Sequence, residues 1–221
     1  AIYHIISGRH LQIFTSGGEF HIPERPIKPS SVSVLRQTRF GALKAVKPIG
    51  VDGATMFIQR NGKQVREFIF TYAENSYVSS EVNLLAPHIT SSPVSMASQT
   101  GDVENEGNYL FIVNGDGTMG VFITNRAEKV TAWTKYTTSG LIKDVAVVED
   151  IVYVYVQRTI NSATVYHIEA IDNTYYTDAS KQVTQSSSVT VTGLAHLNGQ
   201  SCRVRADASV MDNATPSGGS I

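Results

Sequence analysis

The segment MFIQRNGKQVREFIF, residues 56–70, predicts a β-hairpin. The β-branched, aromatic and other apolar residues on both sides of its centre favour strands. The Asn-Gly pair at 61–62 is favoured in two-residue type I′ turns, because both turn positions need a positive φ. Such a turn brings Ile58 opposite Val65, so two antiparallel strands are expected here.

The pattern of strand, turn and strand is repeated along the chain. The other copies are LQIFTSGGEFHI at 11–22, LFIVNGDGTMGVFI at 110–123 and IVYVYVQRTINSATVYHIEAI at 151–171. Gly17, Gly62, Gly115 and Asn161 mark the four turns and, by subtraction, lie 45, 53 and 46 residues apart. This spacing is close to that of four-stranded propeller blades, roughly 40 to 50 residues.

Two of the copies predict particular pairings. In the third, a turn at 114–117 brings Ile112 opposite Met119. In the fourth, alternating β-branched and aromatic residues predict two strands joined by a longer loop at 159–163.

The intervals between the hairpins contain more strand-like sequence. Four such stretches lie at 32–40, 45–51, 130–138 and 141–148. Each repeat is therefore expected to form a sheet of three or four strands. The one good helix candidate is 79–89, with Ser79 or Ser80 as its N-cap and Pro87 near its end.

These patterns predict an all-β protein of repeated antiparallel sheets that forms part of a β-propeller. The alternative is a β-sandwich of eight or more strands, whose turns also recur at regular intervals. Residues 1–185 are expected to hold the propeller-like sheets, and 186–221 a linker and a small hairpin module whose end, 213–221, is disordered. The chain opens at Ala1 inside a predicted strand, which suggests a piece of a longer protein.

Composition excludes several function classes. The formal net charge of -1 provides no overall field for a phosphate backbone or an anionic membrane. A single cysteine, Cys202, leaves no intramolecular disulfide and no four-cysteine metal framework. The longest apolar runs, such as 151–156, are far short of the roughly 20 residues of a membrane-spanning helix. The opening segment also lacks the charged and apolar regions of a signal peptide.

Two groups of residues could carry chemistry. The segment NGDGT at 114–118 presents side-chain oxygens at alternate positions, as calcium loops do, but a glycine-rich hairpin turn is the favoured interpretation. It also has a faint similarity to the Asp-box turn of sialidases. Cys202 and His196 could form a nucleophile and base pair, although six residues apart is no recognised arrangement.

No enzyme motif, cofactor motif or metal-ligand spacing is found in the sequence. The six histidines are His4, His10, His21, His88, His167 and His196, and none is paired at a metal-binding spacing. Neither a Gly-x-Ser-x-Gly elbow nor a phosphate-binding glycine loop is present. We therefore expect no enzyme activity, no catalytic residue, no cofactor and no metal.

Basic and aromatic residues suggest possible contact surfaces. The basic concentration consists of Arg36, Arg39, Arg60, Lys63 and Arg66, which strand alternation divides between two faces. Solvated edges or salt bridges between subunits are favoured over nucleic-acid binding. The aromatic candidates for stacking on sugar rings are Trp133, Tyr136, Tyr175 and Tyr176, of which Trp133 is favoured to be buried between sheets.

Six segments carry a family resemblance: the hairpin at 11–22, SVSVLRQTRFGAL at 31–43, the stretch at 56–90, MGVFITNRAEKVTAWTKYTT at 119–138, the stretch at 152–162 and GLAHLNGQSCRVRADASVM at 193–211. Together they resemble the tail nozzle or tail tubular proteins of short-tailed bacteriophages, and the similarity extends over nearly the whole chain. Family members are much longer than this chain.

The resemblance implies a virion component with propeller-like β domains, made in the bacterial host. It implies assembly with copies of itself and other tail proteins into a ring that forms a conduit for the genome, with DNA only in passage. A carbohydrate-binding propeller or adhesin module is the alternative function. A glycosidase would need paired carboxylates in one cleft, and the sequence indicates no such pair.

Overall fold

The computed structural model describes residues 1–101, 107–172, 174–175, 177–184 and 190–221. The fold is all-β and consists of antiparallel sheets that follow one another along the chain. In each of the larger sheets, consecutive strands are neighbours, so the chain runs up and down through one sheet before it enters the next. The predicted fold class is confirmed.

In the described residues, the first fifteen strands fall into four successive sheets. Sheet 1 contains β1 (Ile2–Ser7), β2 (Leu11–Thr15), β3 (Glu19–Ile22) and β4 (Leu35–Thr38). Sheet 2 contains β5 (Ile49–Val51), β6 (Ala54–Ile58), β7 (Val65–Thr71) and β8 (Ser76–Glu81). Sheet 3 contains β9 (Pro93–Gln99), β10 (Asn108–Asn114), β11 (Met119–Asn125) and β12 (Val130–Tyr136). Sheet 4 contains β13 (Leu141–Val148), β14 (Ile151–Ile160) and β15 (Ala163–Ala170).

The sheets pack face to face in series. Phe57 on β6 packs against Phe14 of sheet 1, with ring centroids 5.2 Å apart. Its neighbour Met56 points to the other face, where it clusters with Leu110 and Phe122 of sheet 3. A two-layer sandwich buries one face of each sheet, whereas sheet 2 is buried on both. This serial packing is consistent with the packing of neighbouring propeller blades.

Sheet 3 repeats the arrangement with the same alternation. Leu110 and Ile112 face sheet 2, while Phe111 and Val113 face sheet 4. There they meet an apolar stripe on β14 that is formed by Val152, Val154 and Val156. The first strand of sheet 3, β9, lies beside the first strands of both neighbouring sheets, β5 and β13. The first strands of sheets 2, 3 and 4 therefore lie next to one another.

The four turn markers occupy equivalent places. Each lies between the second and third strands of its sheet, as the repeat predicts. Ile58 pairs with Val65, as expected. The predicted two-residue type I′ turn is wrong, because Gly62 has a positive φ of 71° and Asn61 does not. Residues 60–63 instead form a four-residue loop closed by Gln59 and Gln64.

Two other predicted turns need correction. Met119 pairs with Val113 and not with Ile112, because the turn closes between Asn114 and Thr118. This shift of one residue puts Ile112 and Met119 on opposite faces of sheet 3. In sheet 4 the loop is shorter than predicted, since Asn161 and Ser162 alone connect the strands. Both adopt positive φ, 49° and 62°, as a type I′ turn requires.

The predicted helix at 79–89 is wrong. Its first residues belong to β8, where Glu81 pairs with Arg66 of β7. A short 3-10 turn at Pro87–Ile89 is its only helical part. As β8, the segment forms backbone hydrogen bonds along the edge of β7. These bonds outweigh its local preference for a helix, which would be only about two turns long.

Beyond sheet 4, Arg158 fixes the following segment to the core. Its guanidinium is nearly buried and donates to both carboxylate oxygens of Glu169, at 2.5 and 2.7 Å, and to Asp178 at 3.1 Å. Asp178 in turn accepts hydrogen bonds from Thr138 and from the backbone N–H of Ser139. The planar fork of arginine suits such a bidentate arrangement.

The region of the predicted C-terminal module contains a 3-10 turn at Ala195–Leu197 and the short pair β16 (Arg205–Ala206) and β17 (Ser209–Val210). Part of the predicted linker, 185–189, lies outside the described residues. The predicted disorder at 213–221 is not what the structure contains, because Ala214 bridges Cys202 and Ser220 bridges Thr192. Among the described residues, no helix is both long and apolar enough to cross a membrane.

Phe57→Ala tests the serial packing. The side chain is fully buried between sheets 1 and 2, so its loss should lower the free energy of unfolding by about 3–5 kcal/mol. Urea denaturation followed by fluorescence measures the change. Leu85→Ala is the control, because Leu85 is 96% exposed and its truncation should change stability by less than about 0.5 kcal/mol. Equal effects of the two substitutions would contradict the packing.

Candidate functional site

A cleft lies between sheets 1 and 2, where the β1–β2, β5–β6 and β7–β8 turns meet. Its volume is about 520 Å³, which is within the usual range for small-ligand pockets. Residues of both sheets form its walls: Ile6, Ser7, Gly8, Arg9 and Gln12 from sheet 1, and 50–55, Ile69, Phe70, Tyr72 and Tyr77 from sheet 2. We refer to this site as the cleft.

An aromatic cluster adjoins the cleft, and two of its members, Phe70 and Tyr77, line it. The rings of His10 and His21 lie 5.1 Å apart between centroids, and both lie against Tyr77, at 5.7 and 5.2 Å. Tyr77 stacks at 4.5 Å on Phe68, which belongs to the core between the two sheets. Phe70 is arranged edge to face with both His10 and Tyr77. Tyr77 therefore connects the cleft to the core.

Several buried polar atoms beside this cluster have no hydrogen-bond partner within the protein. They are Gln12 Oε1, the Tyr77 hydroxyl, His10 Nδ1 and His21 Nδ1. Gln12 and Tyr77 are each about 4% exposed, and both line the cleft. A buried polar atom without a partner costs about 1–3 kcal/mol, so such atoms are normally met by water or by a bound molecule.

Arg9 and Tyr72 form the rim of the cleft. The Arg9 guanidinium donates to the Tyr72 hydroxyl at 2.6 Å and lies 4.7 Å from the ring centres of both Phe70 and Tyr72. On the opposite wall, Asp52 in the β5–β6 turn pairs with Arg126 of sheet 3 at 3.3 Å. The ring of Tyr72 remains 77% exposed and is open to solvent at the entrance.

Desolvation favours the neutral form of both histidines, of which His21 is buried and His10 half-buried. Desolvation lowers the pKa of His10 below its ordinary value of 6.5, and the nearby charges of Arg9 and Arg25 lower it further. Desolvation also lowers the pKa of His21, with a smaller contribution from His10. The Glu24 carboxylate acts in the opposite direction on His21. Charging either ring would place a cation in a poorly solvated cluster.

The predicted candidate residues lie elsewhere. In the NGDGT segment, Asp116 Oδ1 accepts hydrogen bonds from the Thr118 N–H at 3.0 Å and from its hydroxyl at 2.7 Å. These bonds lower the pKa of Asp116 and hold the carboxylate within the hairpin turn. Asn114 is buried and bonds Ile89, Ser91 and Thr118. The segment is a β-turn, as the favoured interpretation has it.

The metal and thiol candidates that the sequence suggested do not line the cleft. Within the described part of the chain, no group of three or more His, Cys, Asp or Glu is placed to hold a metal ion. Cys202 bonds the carbonyl of Gln200 at 3.5 Å and His196 lies in the 3-10 turn before it.

The five basic residues differ in exposure. Arg66 is half-buried, with its guanidinium 3.4 Å from the Phe40 ring centre and 3.8 Å from Glu81. The other four, Arg36, Arg39, Arg60 and Lys63, are exposed. Only Arg36 and Arg66 lie in strands, so strand alternation does not divide the whole set as predicted. The Arg66 salt bridge lies within the chain.

The aromatic candidates for sugar stacking are divided in the same way. Trp133 donates its indole N–H to the Val82 carbonyl at 2.9 Å and packs on Phe122, so it is partly buried between sheets 2 and 3 and the prediction is confirmed in part. Tyr136 and Tyr175 are partly exposed and lie outside the cleft. Tyr176 lies outside the described residues.

The residues of the cleft were missed because they come from separate segments. One signal was available: a hairpin with Gln12 opposite His21 places His10 diagonally across from His21 on the same face. The contribution of Tyr72 and Tyr77 depends on how sheet 2 packs on sheet 1. That relation has no local sequence signal.

Comparison of the chain with protein-family models and with curated proteins gives no match. The chemistry of the cleft is therefore inferred from the residues that line it.

The histidine cluster predicts a pH-dependent stability. The pKa values of His10 and His21 are lower in the folded state than in the unfolded chain. Their contribution to the free energy of unfolding is therefore complete above about pH 6.5 and is lost as the pH falls through their folded-state pKa values. Urea denaturation at pH 7.5 and 5.5 should therefore give a lower free energy of unfolding at pH 5.5.

The control for this prediction is His21→Gln, which removes one titrating ring. Buried Glu19 opposes the histidines, because desolvation raises the pKa of its carboxyl and its cost grows as the pH rises. Glu19 is present in both proteins. The difference between wild type and variant in how the free energy of unfolding changes with pH therefore measures the contribution of His21. An identical slope in the two proteins would be evidence against the histidine contribution.

Proposed function

We propose that this protein is a structural component of a bacteriophage tail, of the nozzle or tubular type, that assembles with copies of itself and with other tail proteins. In this proposal the chain is made in the bacterial cytoplasm and acts in the virion. It forms part of the wall of the conduit for genome delivery and meets DNA only in passage. The proposal rests on an exposed apolar sheet face and on the sequence resemblance described above.

The observation that carries the proposal is the outer face of sheet 4. Tyr155 and Tyr166 are both partly exposed there and stack with ring centroids 5.4 Å apart. Ile168, paired with Tyr155 across the strands, is 76% exposed, and Ile151 adds a further exposed apolar side chain. Together they form a continuous apolar surface on a sheet whose other face is already buried against sheet 3.

Such a surface is suited to contact with another protein. Scattered exposed apolar residues are ordinary, but contiguous patches usually mark interaction sites. The outer face of sheet 4 has the β-branched and aromatic composition of the faces that are buried between the sheets of this chain. A sheet of another subunit could therefore pack on it as sheet 4 packs on sheet 3.

The sequence resemblance supplies the particular assembly. The nozzle and tubular proteins that the chain resembles are ring-forming virion proteins, and their expected propeller-like domains agree with serial four-stranded sheets. Electron microscopy and mass spectrometry of purified phage particles test the proposal. A ring in the tail that contains this protein supports it, whereas full-length protein found only as monomers and absent from particles counts against it.

Ile168→Glu tests the assembly surface. A carboxylate at the centre of the apolar face would have to be desolvated on contact, so self-association should weaken by at least about tenfold. Sedimentation velocity over a range of concentrations measures the effect. Leu85→Glu is the matched control, because Leu85 is equally apolar and more exposed but lies in the loop after β8. Similar behaviour of wild type and Ile168→Glu would exclude this face from assembly.

A further inference from the structure

We propose that the outer edge of β15 pairs with the same strand of a second copy of this chain, and that the two strands run antiparallel about a two-fold axis at His167. The pairing joins two copies of the three-stranded sheet 4 into one sheet of six strands. It uses backbone groups at the edge of the sheet, whereas the assembly proposed above uses side chains on its outer face. It needs only two copies of this chain, so it does not rest on the tail proposal.

Sheet 4 has one strand fewer than the other three sheets. In sheets 1, 2 and 3 a fourth strand pairs antiparallel with the third. Sheet 4 ends at its third strand, β15, which within the described residues pairs only with β14. With eight residues, β15 is also longer than β4, β8 and β12, the outermost strands of the other sheets, which have four, six and seven. A long unpaired edge is suited to accept another strand.

The backbone groups of every second residue of β15 point away from β14. The N–H of Ile171, directly after β15, donates to the Val152 carbonyl of β14 at 2.9 Å. Because hydrogen-bonded positions alternate along an antiparallel pair, the odd-numbered residues of 163–171 are the ones bonded to β14. The N–H and C=O groups that point outward therefore belong to the even-numbered residues, Thr164, Tyr166, Ile168 and Ala170. None of these groups has a backbone partner in the part of the chain that the structure describes.

The edge of β15 is open and has none of the usual protection against strand addition. Tyr166 and Ile168 are 53% and 76% exposed. The strand contains no proline, and its pairing with β14 has no bulge. Its one charged residue is Glu169, whose carboxylate is bonded to Arg158 of the same copy. A second copy therefore meets no unpaired charge along this edge.

The segment that follows β15 does not occupy the edge. It is attached at Asp178, which bonds Arg158 and the backbone N–H of Ser139. The Arg158 side chain lies on the inner face of sheet 4, because it follows Val156 by two residues along β14. No hydrogen bond joins the described part of 172–184 to β15. The outward backbone groups are therefore left available to another chain.

The strand is its own complement in an antiparallel pair. A two-fold axis at His167 pairs Tyr166 with Ile168 of the second copy and Thr164 with Ala170 of the second copy, so all four outward residues are used. The pair of Tyr166 and Ile168 combines an aromatic with a β-branched side chain, which is a favourable cross-strand pair. Contact between the same strand of two copies is isologous, as in most dimers.

Thr164→Pro tests the edge and leaves the outer face of sheet 4 intact. Proline removes an outward N–H that β14 does not use, so the monomer should fold while dimerisation weakens by about tenfold or more. Thr164→Val is the matched control, because it keeps the N–H and the branched shape. Sedimentation velocity measures association, and urea denaturation measures folding. Association that Ile168→Glu weakens and Thr164→Pro does not would leave the face contact and overturn the edge contact; the opposite result would support the edge alone.

Amide hydrogen exchange tests the same edge without a substitution. In dilute wild-type protein the amides of Tyr166 and Ile168 should exchange faster than those of Val165 and His167, which are bonded to β14. In concentrated protein they should become protected as dimers form. Protection already present in the dilute monomer would mean that the chain covers its own edge, and lack of protection at every concentration would mean that no copy binds there. Either result would overturn the proposal.

Cysteine cross-linking tests the two-fold axis. Directly opposite residues at a position without hydrogen bonds have Cα atoms about 4.5 Å apart, which is within the range of a disulfide. In a chain that carries Cys202→Ser, His167→Cys should therefore form disulfide-linked dimers under mild oxidation. Val165→Cys is the matched control, since it lies on the same face two residues from the axis and should cross-link at least about tenfold more slowly. Equal cross-linking of the two variants on non-reducing gels would overturn the proposed pairing.

Discussion

The architecture depends on the second strands of sheets 2 and 3, whose successive side chains point alternately to the two neighbouring sheets. In β6, Phe57 belongs to the interface with sheet 1, and Met56 and Ile58 belong to the interface with sheet 3. All five residues of β6 are buried and all except Thr55 are apolar, and such a strand needs a layer packed on each face. The chain therefore has to stack its sheets in series, and each sheet can do so only after its own strands are paired in the correct register.

The interfaces between sheets are not chemically equal. The one between sheets 3 and 4 is lined by valines, Phe111 and Met119 and is apolar throughout its buried core. On sheet 1, by contrast, Gln12, Glu19 and His21 are buried beside Phe14. Polar groups at such depth lower stability unless they are satisfied, so their presence needs a reason beyond folding. Of these three residues, Gln12 lines the cleft, whereas Glu19 is bonded to Thr38 and to the backbone N–H of Phe40.

The sequence predicted what depends on neighbouring residues and missed what depends on distant ones. The four turn markers located the centre of every sheet, although only Gly62 and Asn161 among them have a positive φ. Register was harder to predict. The sequence placed Met119 opposite Ile112, but it pairs with Val113, so its side chain lies on the other face of sheet 3. The segment beginning at Ser79 has a helix-like pattern, yet pairing with β7 makes it a strand. The cleft required the packing of three separate turns, so no local pattern could reveal it.

The outer face of sheet 4 and the cleft differ in their chemistry. The outer face of sheet 4 exposes Tyr155, Tyr166 and Ile168, and another sheet could cover it without any specific hydrogen bond. The cleft is concave and Arg9, Gln12 and Tyr72 are among the residues that line it, so a molecule bound there would have to match its shape. Such a molecule would bind the folded state alone, because the cleft exists only when sheets 1 and 2 are packed. Its binding would therefore stabilise that interface by mass action.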